Sequence, residues 1–170
     1  MENTKRFTTT LGILLIVTIL ISGSAVAGTW HHVTWIFEED TTNTDNINGA
    51  PDGTDATIGV NAIWPDPEKL GWVFLDLGSG NEMAPSQNFT VFANSSVREE
   101  YDVWVSETNE TISPMDYCGR GNDTYDEEFW TPSTPGKVWR GIYIEGVTGD
   151  DNNRDPAFGP EIDAVGWWGP

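Results

Sequence analysis

The segment Glu99-Glu-Tyr-Asp-Val-Trp-Val-Ser106 alternates between two sets of side chains. Tyr101, Val103 and Val105 form one set, and Trp104 belongs with the polar residues to the other. Successive side chains leave a β-strand on opposite faces, so this period of two predicts a half-buried strand. Trp104 is therefore expected on the face of the strand opposite the valines.

The same alternation recurs along the chain, and no segment after the N-terminus shows a convincing apolar period of 3.6 residues. The polar stretch Glu107–Thr131 is predicted to be a long loop. About eight short strands separated by turn residues favour an all-β protein, an antiparallel β-sandwich (jelly roll) with long acidic loops. The further predicted strands are Trp30–Glu39, Ala56–Trp64, Gly71–Gly78, Phe89–Ala93, Val138–Glu145 and Glu161–Trp168.

The N-terminus has the three parts of a secretory signal peptide. Lys5 and Arg6 precede the apolar run Leu11–Ile21, and Ala25-Val-Ala27 fits a cleavage site. We expect a signal-peptide helix over residues 1–27 and one β-sandwich domain over residues 28–170. An uncleaved anchor is the alternative, but the apolar run is shorter than the ~20 residues of a spanning helix. The prediction is a secreted or extracellular cell-surface protein with no membrane span after cleavage.

The chain is strongly acidic, with 27 Asp and Glu against 8 Lys and Arg and a formal net charge of −19. Such a surface repels nucleic acid and anionic lipid, so a nucleic-acid partner is not expected. It suits cation binding, a salty medium or simple solubility, and acidity alone does not choose among these.

The single cysteine, Cys118, excludes an internal disulfide. It either pairs between chains or lies buried and inert, and the second is favoured because free cysteines are commonly buried. Four Asn-x-Ser/Thr sequons are candidate glycosylation sites in an exported protein. They are Asn88, Asn94, Asn109 and Asn122.

The order of several short motifs resembles the galactose-binding-like (discoidin-like) jelly-roll modules of secreted and cell-surface proteins. The motifs are Gly49–Gly53, Gly71–Gly78, Asn88–Phe92, Glu100–Ser106, Gly141–Glu145 and Pro160–Val165. The resemblance implies a β-sandwich without chemistry of its own, glycan ligands, and often a structural calcium ion joining the early loop to the end strands.

A calcium-type pattern occurs late in the chain. Asp151, Asn153 and Asp155 alternate on a short loop, and Ca²⁺ favours several oxygen ligands at once. Glu161 and Asp163 follow closely and are predicted to complete the site, and the resemblance adds Asp52 from the early loop. The alternative is a solvated acidic loop.

Nine tryptophans are many for a chain of this length. Aromatic rings on an outer face stack on sugar rings, so Trp64, Trp104 and Trp130 are the candidate binding residues. The alternative for each is packing in the core or at its edge.

The sequence therefore predicts an exported, non-catalytic module that binds glycan or another cell-surface polymer, with calcium. A structural cell-envelope or matrix protein without a small ligand is the second interpretation. A hydrolase is the third, because carboxylate pairs such as those in Asp126–Glu128 are abundant. The ligand and the oligomeric state do not follow from the sequence.

Overall fold

The computed structural model describes residues 29–33, 35–39, 41–61, 69–93, 95–110, 114–147 and 159–169. The predicted signal peptide, Trp64, Asn94 and the calcium-type residues Asp151, Asn153 and Asp155 lie outside them. Within the described residues, no helix is long and apolar enough to cross a membrane.

Thirteen strands and one 3₁₀ helix, at Thr44–Ile47, make up the described secondary structure. The strands are β1 Thr29–His32, β2 Trp35–Glu39, β3 Thr41–Thr42, β4 Ala56–Ile58, β5 Val60–Asn61, β6 Lys69–Leu70, β7 Trp72–Asp76, β8 Asn88–Ala93, β9 Glu100–Ser106, β10 Met115–Asn122, β11 Glu127–Trp130, β12 Gly141–Gly146 and β13 Glu161–Gly169.

Two antiparallel sheets form a sandwich. The first sheet has the order β11-β8-β13-β4-β3, with β1 also paired to β13. The second sheet has the order β10-β9-β12-β7-β2, and β5 and β6 form a separate pair. Apart from the neighbours β3 and β4 and the neighbours β9 and β10, adjacent strands of these two sheets are not consecutive in the chain, as in a jelly roll. The predicted all-β antiparallel sandwich is confirmed.

The core lies between the two sheets, and the alternation seen in the sequence explains which side chains reach it. In β9, Tyr101, Val103 and Val105 are fully buried, whereas Trp104 is only half-buried. Corresponding positions of β7 and β12 supply four more core residues, and the first sheet covers them from the other side. These four are Val73, Leu75, Ile142 and Ile144.

One strand prediction was wrong in detail. The single strand predicted over Trp30–Glu39 is divided between β1 in the first sheet and β2 in the second. Val33 lies fully buried between them, where the chain passes from one layer to the other.

The long loop predicted over Glu107–Thr131 instead contains β10 and β11. Both are edge strands, β10 of the second sheet and β11 of the first. Edge strands commonly carry charged residues and bulges that discourage pairing with other chains. The register of β10 against β9 shifts between Tyr117 and Gly119, so its alternation is interrupted in the sequence.

Candidate functional site

Five aromatic side chains lie in register across the outer face of the second sheet. Cα partners in adjacent strands link Tyr117 to Trp104, Trp104 to Tyr143, Tyr143 to Phe74, and Phe74 to Phe37. We call these five residues the aromatic row. Each of the five strands of the sheet supplies one of them, so the row crosses the whole width of the layer.

Each ring of the aromatic row contacts at least one other ring of the row. The ring centroids of Trp104 lie 5.4 Å from those of both Tyr117 and Tyr143, and the Phe37 and Phe74 centroids are 6.4 Å apart. Tyr117 is 53% exposed and Phe37 is 42% exposed, whereas Trp104 and Tyr143 are half-buried. Trp104 thus contacts a ring on each side, and Phe37 contacts Phe74 at the other end of the row.

A glycine provides the space for the one buried ring of the row. Phe74 is fully buried although it lies on the outer face. Its ring covers Gly141 of the neighbouring strand, where a Cβ atom would lie 2.1 Å from Phe74 Cζ. A larger residue at position 141 would push Phe74 away from the sheet.

A second line of residues runs beside the aromatic row, two positions along the strand in β2, β7, β9 and β12 and three positions along in β10, where the register shifts. Its members are Arg120, Asp102, Glu145, Trp72 and Glu39, again paired in register, and we call them the polar row. Together the two rows combine apolar ring faces with charged hydrogen-bonding groups on a single surface.

At one end of the polar row, Arg120 holds Asp102 with two hydrogen bonds, from Nε to Oδ1 at 2.8 Å and from Nη2 to Oδ2 at 2.7 Å. The Tyr117 hydroxyl donates to Asp102 Oδ1 at 2.9 Å, which ties the aromatic row to the polar row. The hydrogen bonds from Arg120 keep the pKa of Asp102 below its usual range. Asp102 is therefore ionised and fixed at neutral pH.

Toward the other end, Trp72 Nε1 donates to Glu39 Oε2 at 3.2 Å, and the Trp72 ring stacks on Tyr143 with centroids 5.6 Å apart. Glu145 lies between Asp102 and Trp72 in register and is half-buried. Burial raises the pKa of its carboxyl, and the charge of Asp102 raises it further.

The candidate binding residues Trp104 and Trp130 lie on opposite sides of the molecule. Trp104 is in the aromatic row, as its position opposite the valines predicted. Trp130 is on β11, 65% exposed on the outer face of the first sheet. Sequence reasoning missed Tyr117, because the irregular register of β10 hides its alternation. Tyr143 did have a signal, because it alternates with Ile142 and Ile144.

The outer face of the first sheet also carries aromatic rings. Trp168 is 67% exposed and pairs in register with Trp30, and the two ring centroids are 5.4 Å apart. Trp130 pairs with Asn88, whose amide donates to Glu128. These rings do not form an unbroken line, because Asn88 lies in β8 between β11 and β13.

Several carboxylates gather at one end of the sandwich, where the early loop meets the start of β13. Asp163 accepts hydrogen bonds from the backbone N–H groups of Asp52 and Gly53, at 3.1 and 3.0 Å. Buried Asp123 accepts from the N–H groups of Glu99 and Glu161, at 2.8 and 3.1 Å. We call Asp52, Asp55, Asp123, Glu161 and Asp163 the acidic corner.

The structure thus brings three predicted metal residues, Asp52, Glu161 and Asp163, into one corner. Asp52 contributes its backbone N–H there, while its carboxylate accepts from the N–H and hydroxyl of Thr54. Asp55 Oδ1 is buried and has no hydrogen-bond partner. Burial and the other four carboxylates of the corner raise the pKa of Asp55. No group of three or more His, Cys, Asp or Glu among the described residues is arranged to hold a metal ion.

The three described sequons differ in accessibility. Asn109 is exposed in the loop after β9, and Asn88 is half-buried in the middle of a sheet. Asn122 is buried, with Nδ2 donating to Glu127 at 3.0 Å and Oδ1 accepting from the Thr124 hydroxyl at 2.5 Å.

Cys118 lies at the bulge of β10, half-buried and packed against the core. Burial raises the pKa of its thiol to about 12, so the thiolate is scarce at neutral pH.

Comparisons with known proteins identify the fold. No protein-family model matches the sequence, and no curated protein matches it. The CBM32 module of AlyQ in complex with 4,5-unsaturated mannuronic acid matches with a TM-score of 0.56 and 12% identity, over 82% of this chain and 97% of that chain. A truncated AlyQ with CBM32 and alginate lyase domains matches with a TM-score of 0.55 and 12% sequence identity, over 82% of this chain and 33% of that chain.

A third structure, CpGH89CBM32-4 from Clostridium perfringens, matches at a TM-score of 0.50 and 8% identity, over 80% of this chain and 94% of that chain. CBM32 modules are galactose-binding-like jelly rolls. The resemblance expected from the order of the motifs is confirmed at the level of the fold, which is what likeness at these identities shows.

Proposed function

We propose that this protein is an exported, non-catalytic module that binds a glycan or another cell-surface polymer on the outer face of its second sheet. The observation that carries the proposal is the aromatic row, five rings in register with polar groups beside them. Aromatic faces stack on the apolar faces of sugar rings, and the polar row offers charged partners for hydroxyl groups. Trp104 lies on this surface between Tyr117 and Tyr143.

The dimensions of the row favour a chain of sugars over a single one. Adjacent strands in a sheet are about 4.8 Å apart, so five strands place the outermost rings roughly 19 Å apart. A row of this length suits a polymer lying across the sheet.

The structural neighbours support a binding role. The AlyQ module was solved with a sugar derivative, and it was solved as a binding module separate from a lyase domain. The proposal that this chain has no catalytic activity of its own rests on that likeness of fold. Export rests on the N-terminal segment, and sequencing of the protein from culture medium should find a mature N-terminus at residue 28.

A glycan array with the mature protein tests the proposal. We expect binding to one class of oligosaccharide, and loss of that binding in Trp104→Ala. Trp130→Ala is the matched variant, because it removes the same side chain from the opposite sheet. Equal loss in both variants, or binding that survives Trp104→Ala, would contradict the proposed face.

We further propose that a structural calcium ion binds at the acidic corner, whose described carboxylates are not arranged as a metal site and would rearrange to coordinate it. Asp55 supports this, because its buried Oδ1 lacks a partner and lies among like charges that a cation would neutralise. Oxygen ligands are what Ca²⁺ prefers, and binding to the folded state alone would raise the melting temperature. Excess calcium should therefore raise Tm in the wild type and have little effect in Asp55→Asn. If titration calorimetry with calcium gives no heat and Tm does not change, the proposed calcium site is overturned.

The exposed tryptophans of the first sheet favour a second candidate, a structural protein that assembles through that face. Trp168 and Trp130 are each about two-thirds exposed. Sedimentation of the wild type and Trp168→Ala at several concentrations distinguishes the two roles. Self-association that depends on Trp168, without binding on the array, would favour the structural role.

A further inference from the structure

Glu145 occupies a central place on the proposed binding face. It pairs in register with Asp102 on one side and Trp72 on the other, and Tyr143 of the same strand stacks on Trp72. Its side chain is half-buried and forms no hydrogen bond or ion pair with any described residue. A carboxylate in this state lies beside the aromatic surface with its acceptor oxygens unused.

The two neighbouring carboxylates of the polar row differ from Glu145. Asp102 is held by Arg120 and by Tyr117, and Glu39 accepts from the Trp72 indole. Burying a charge without a partner destabilises a protein, and the nearby charge of Asp102 adds repulsion. A residue that destabilises its own fold in this way is typical of a functional surface.

The surroundings of Glu145 favour a cation. The polar row contains three carboxylates and a single guanidinium, and that guanidinium is committed to Asp102. The faces of Trp72 and Tyr143 carry the negative side of the ring quadrupole, which also attracts cations. An acidic sugar would meet repulsion from both Glu145 and Asp102, and the whole chain carries a formal charge of −19.

We propose that the face selects a glycan bearing protonated amino groups, with the ammonium donating to Glu145 while the sugar rings stack on the aromatic row. This inference rests on the proposed function and specifies its ligand class. Hydrogen bonds between an ammonium and a carboxylate are stronger than those from neutral hydroxyls, so Glu145 separates amino sugars from their neutral counterparts. The expected ligand thus has the opposite charge to the uronic acid bound by the AlyQ module.

The test compares three probes of equal length: an oligomer of glucosamine, its fully N-acetylated form, and an oligomer of mannuronic acid. Titration calorimetry with the wild type should give the lowest Kd for the glucosamine oligomer, roughly tenfold below the acetylated form, and no heat with the uronate. Glu145→Gln should reduce that preference to within about twofold. Glu128→Gln, which makes the same charge change on the opposite sheet, should keep it.

The outcomes separate this inference from the proposed function. Equal affinity for the amino and acetylated oligomers, or a preference that survives Glu145→Gln, overturns the inference while the glycan face stands. Absence of binding to the glucosamine oligomer overturns the inference, and absence of binding across the whole glycan array overturns the proposed function as well. Oligolysine serves as the non-sugar cation, and if it binds as tightly as the glucosamine oligomer, the face is a general cation surface and the inference fails. Salt should weaken the preference, because Glu145 is only half-buried.

Discussion

The two outer faces of this sandwich both carry aromatic rings, but they organise them differently. On the second sheet the rings follow the register of five strands, and each touches at least one other ring of the row. On the first sheet Trp168 and Trp130 are individually more exposed, yet Asn88 lies between their strands. The proposed binding face is thus distinguished by the register of its rings with one another, and not by the exposure of any single ring.

On each outer face one aromatic ring packs over a glycine. Substitution of these two glycines is expected to have the largest effects on stability. A Cβ at Gly166 would lie 2.4 Å from Trp30 Cζ2 and 2.6 Å from the backbone oxygen of His31. At Gly141 it would meet only the Phe74 ring. Overpacking destabilises by about 1–3 kcal/mol. We expect Gly166→Ala to lower the free energy of unfolding by about 3 kcal/mol and Gly141→Ala by about 2 kcal/mol, because a ring moves more easily than backbone.

Urea unfolding measures both values. Gly53→Ala is a useful reference, because the added Cβ there meets open space but the positive φ of 81° still introduces strain. If Gly141→Ala leaves both the urea midpoint and ligand binding unchanged, Phe74 is not held by that glycine and the close packing of the row is wrong.

The next prediction concerns ligand binding. If it fails, the second sheet is not the binding face. Tyr143 contacts both Trp104 and Trp72, so it joins the aromatic row to the polar row. Tyr143→Ala should raise Kd about 30-fold, which corresponds to the ~2 kcal/mol of a central contact residue. Trp168→Ala removes a larger and more exposed ring from the other face and should change Kd less than about twofold. The reverse pattern would move the site to the first sheet.

A smaller effect tests the destabilising role assigned to Glu145. Its folded-state pKa is raised, so the folded protein binds its proton more tightly than the unfolded chain does. The stability that this group contributes is full below the unfolded pKa and is lost as pH rises through the folded value. Glu145→Gln should therefore be slightly more stable than wild type at neutral pH, by less than about 0.5 kcal/mol, with the difference vanishing in acid.

Thermal melts at several pH values test the direction of this stability difference, with Glu128→Gln on the opposite sheet as the control. A Glu145→Gln protein that is less stable than wild type at neutral pH would show that the carboxylate has a stabilising partner after all.

Glycans attached at the sequons are expected to have the smallest effect on ligand affinity. A glycan on Asn88 would cover the first-sheet face between Trp130 and Trp168 and should leave ligand affinity unchanged. Asn122 should be unmodified in folded protein, because both ends of its amide are used inside the turn. Peptide mass spectrometry of protein made in a glycosylating host gives the occupancies. Modified Asn122 in folded material would contradict the buried placement.

The fold could be predicted because its central strands alternate locally. β7, β9 and β12 each show Val, Leu or Ile at every second position, and these strands are neighbours in the second sheet. The edge strands could not be predicted in this way. One face of β10 meets solvent, its register is interrupted near Cys118, and little apolar periodicity results.

The candidate site followed from the sequence only in part. Trp104 was recognisable as outward-facing, but its alignment with Tyr117 and Phe37 depends on long-range strand pairing. No local pattern specifies which residues of distant strands lie side by side. Asp55 was missed for a related reason, because its unusual state arises from carboxylates contributed by other parts of the chain.

The pairing of Thr29 with Gly169 has a practical consequence for how the module is presented. A bead, dye or neighbouring domain joined beyond either residue attaches to the first sheet, the layer behind the aromatic row. The row then points away from whatever carries the protein. Immobilised copies should thus keep their full capture capacity, whichever end is tethered.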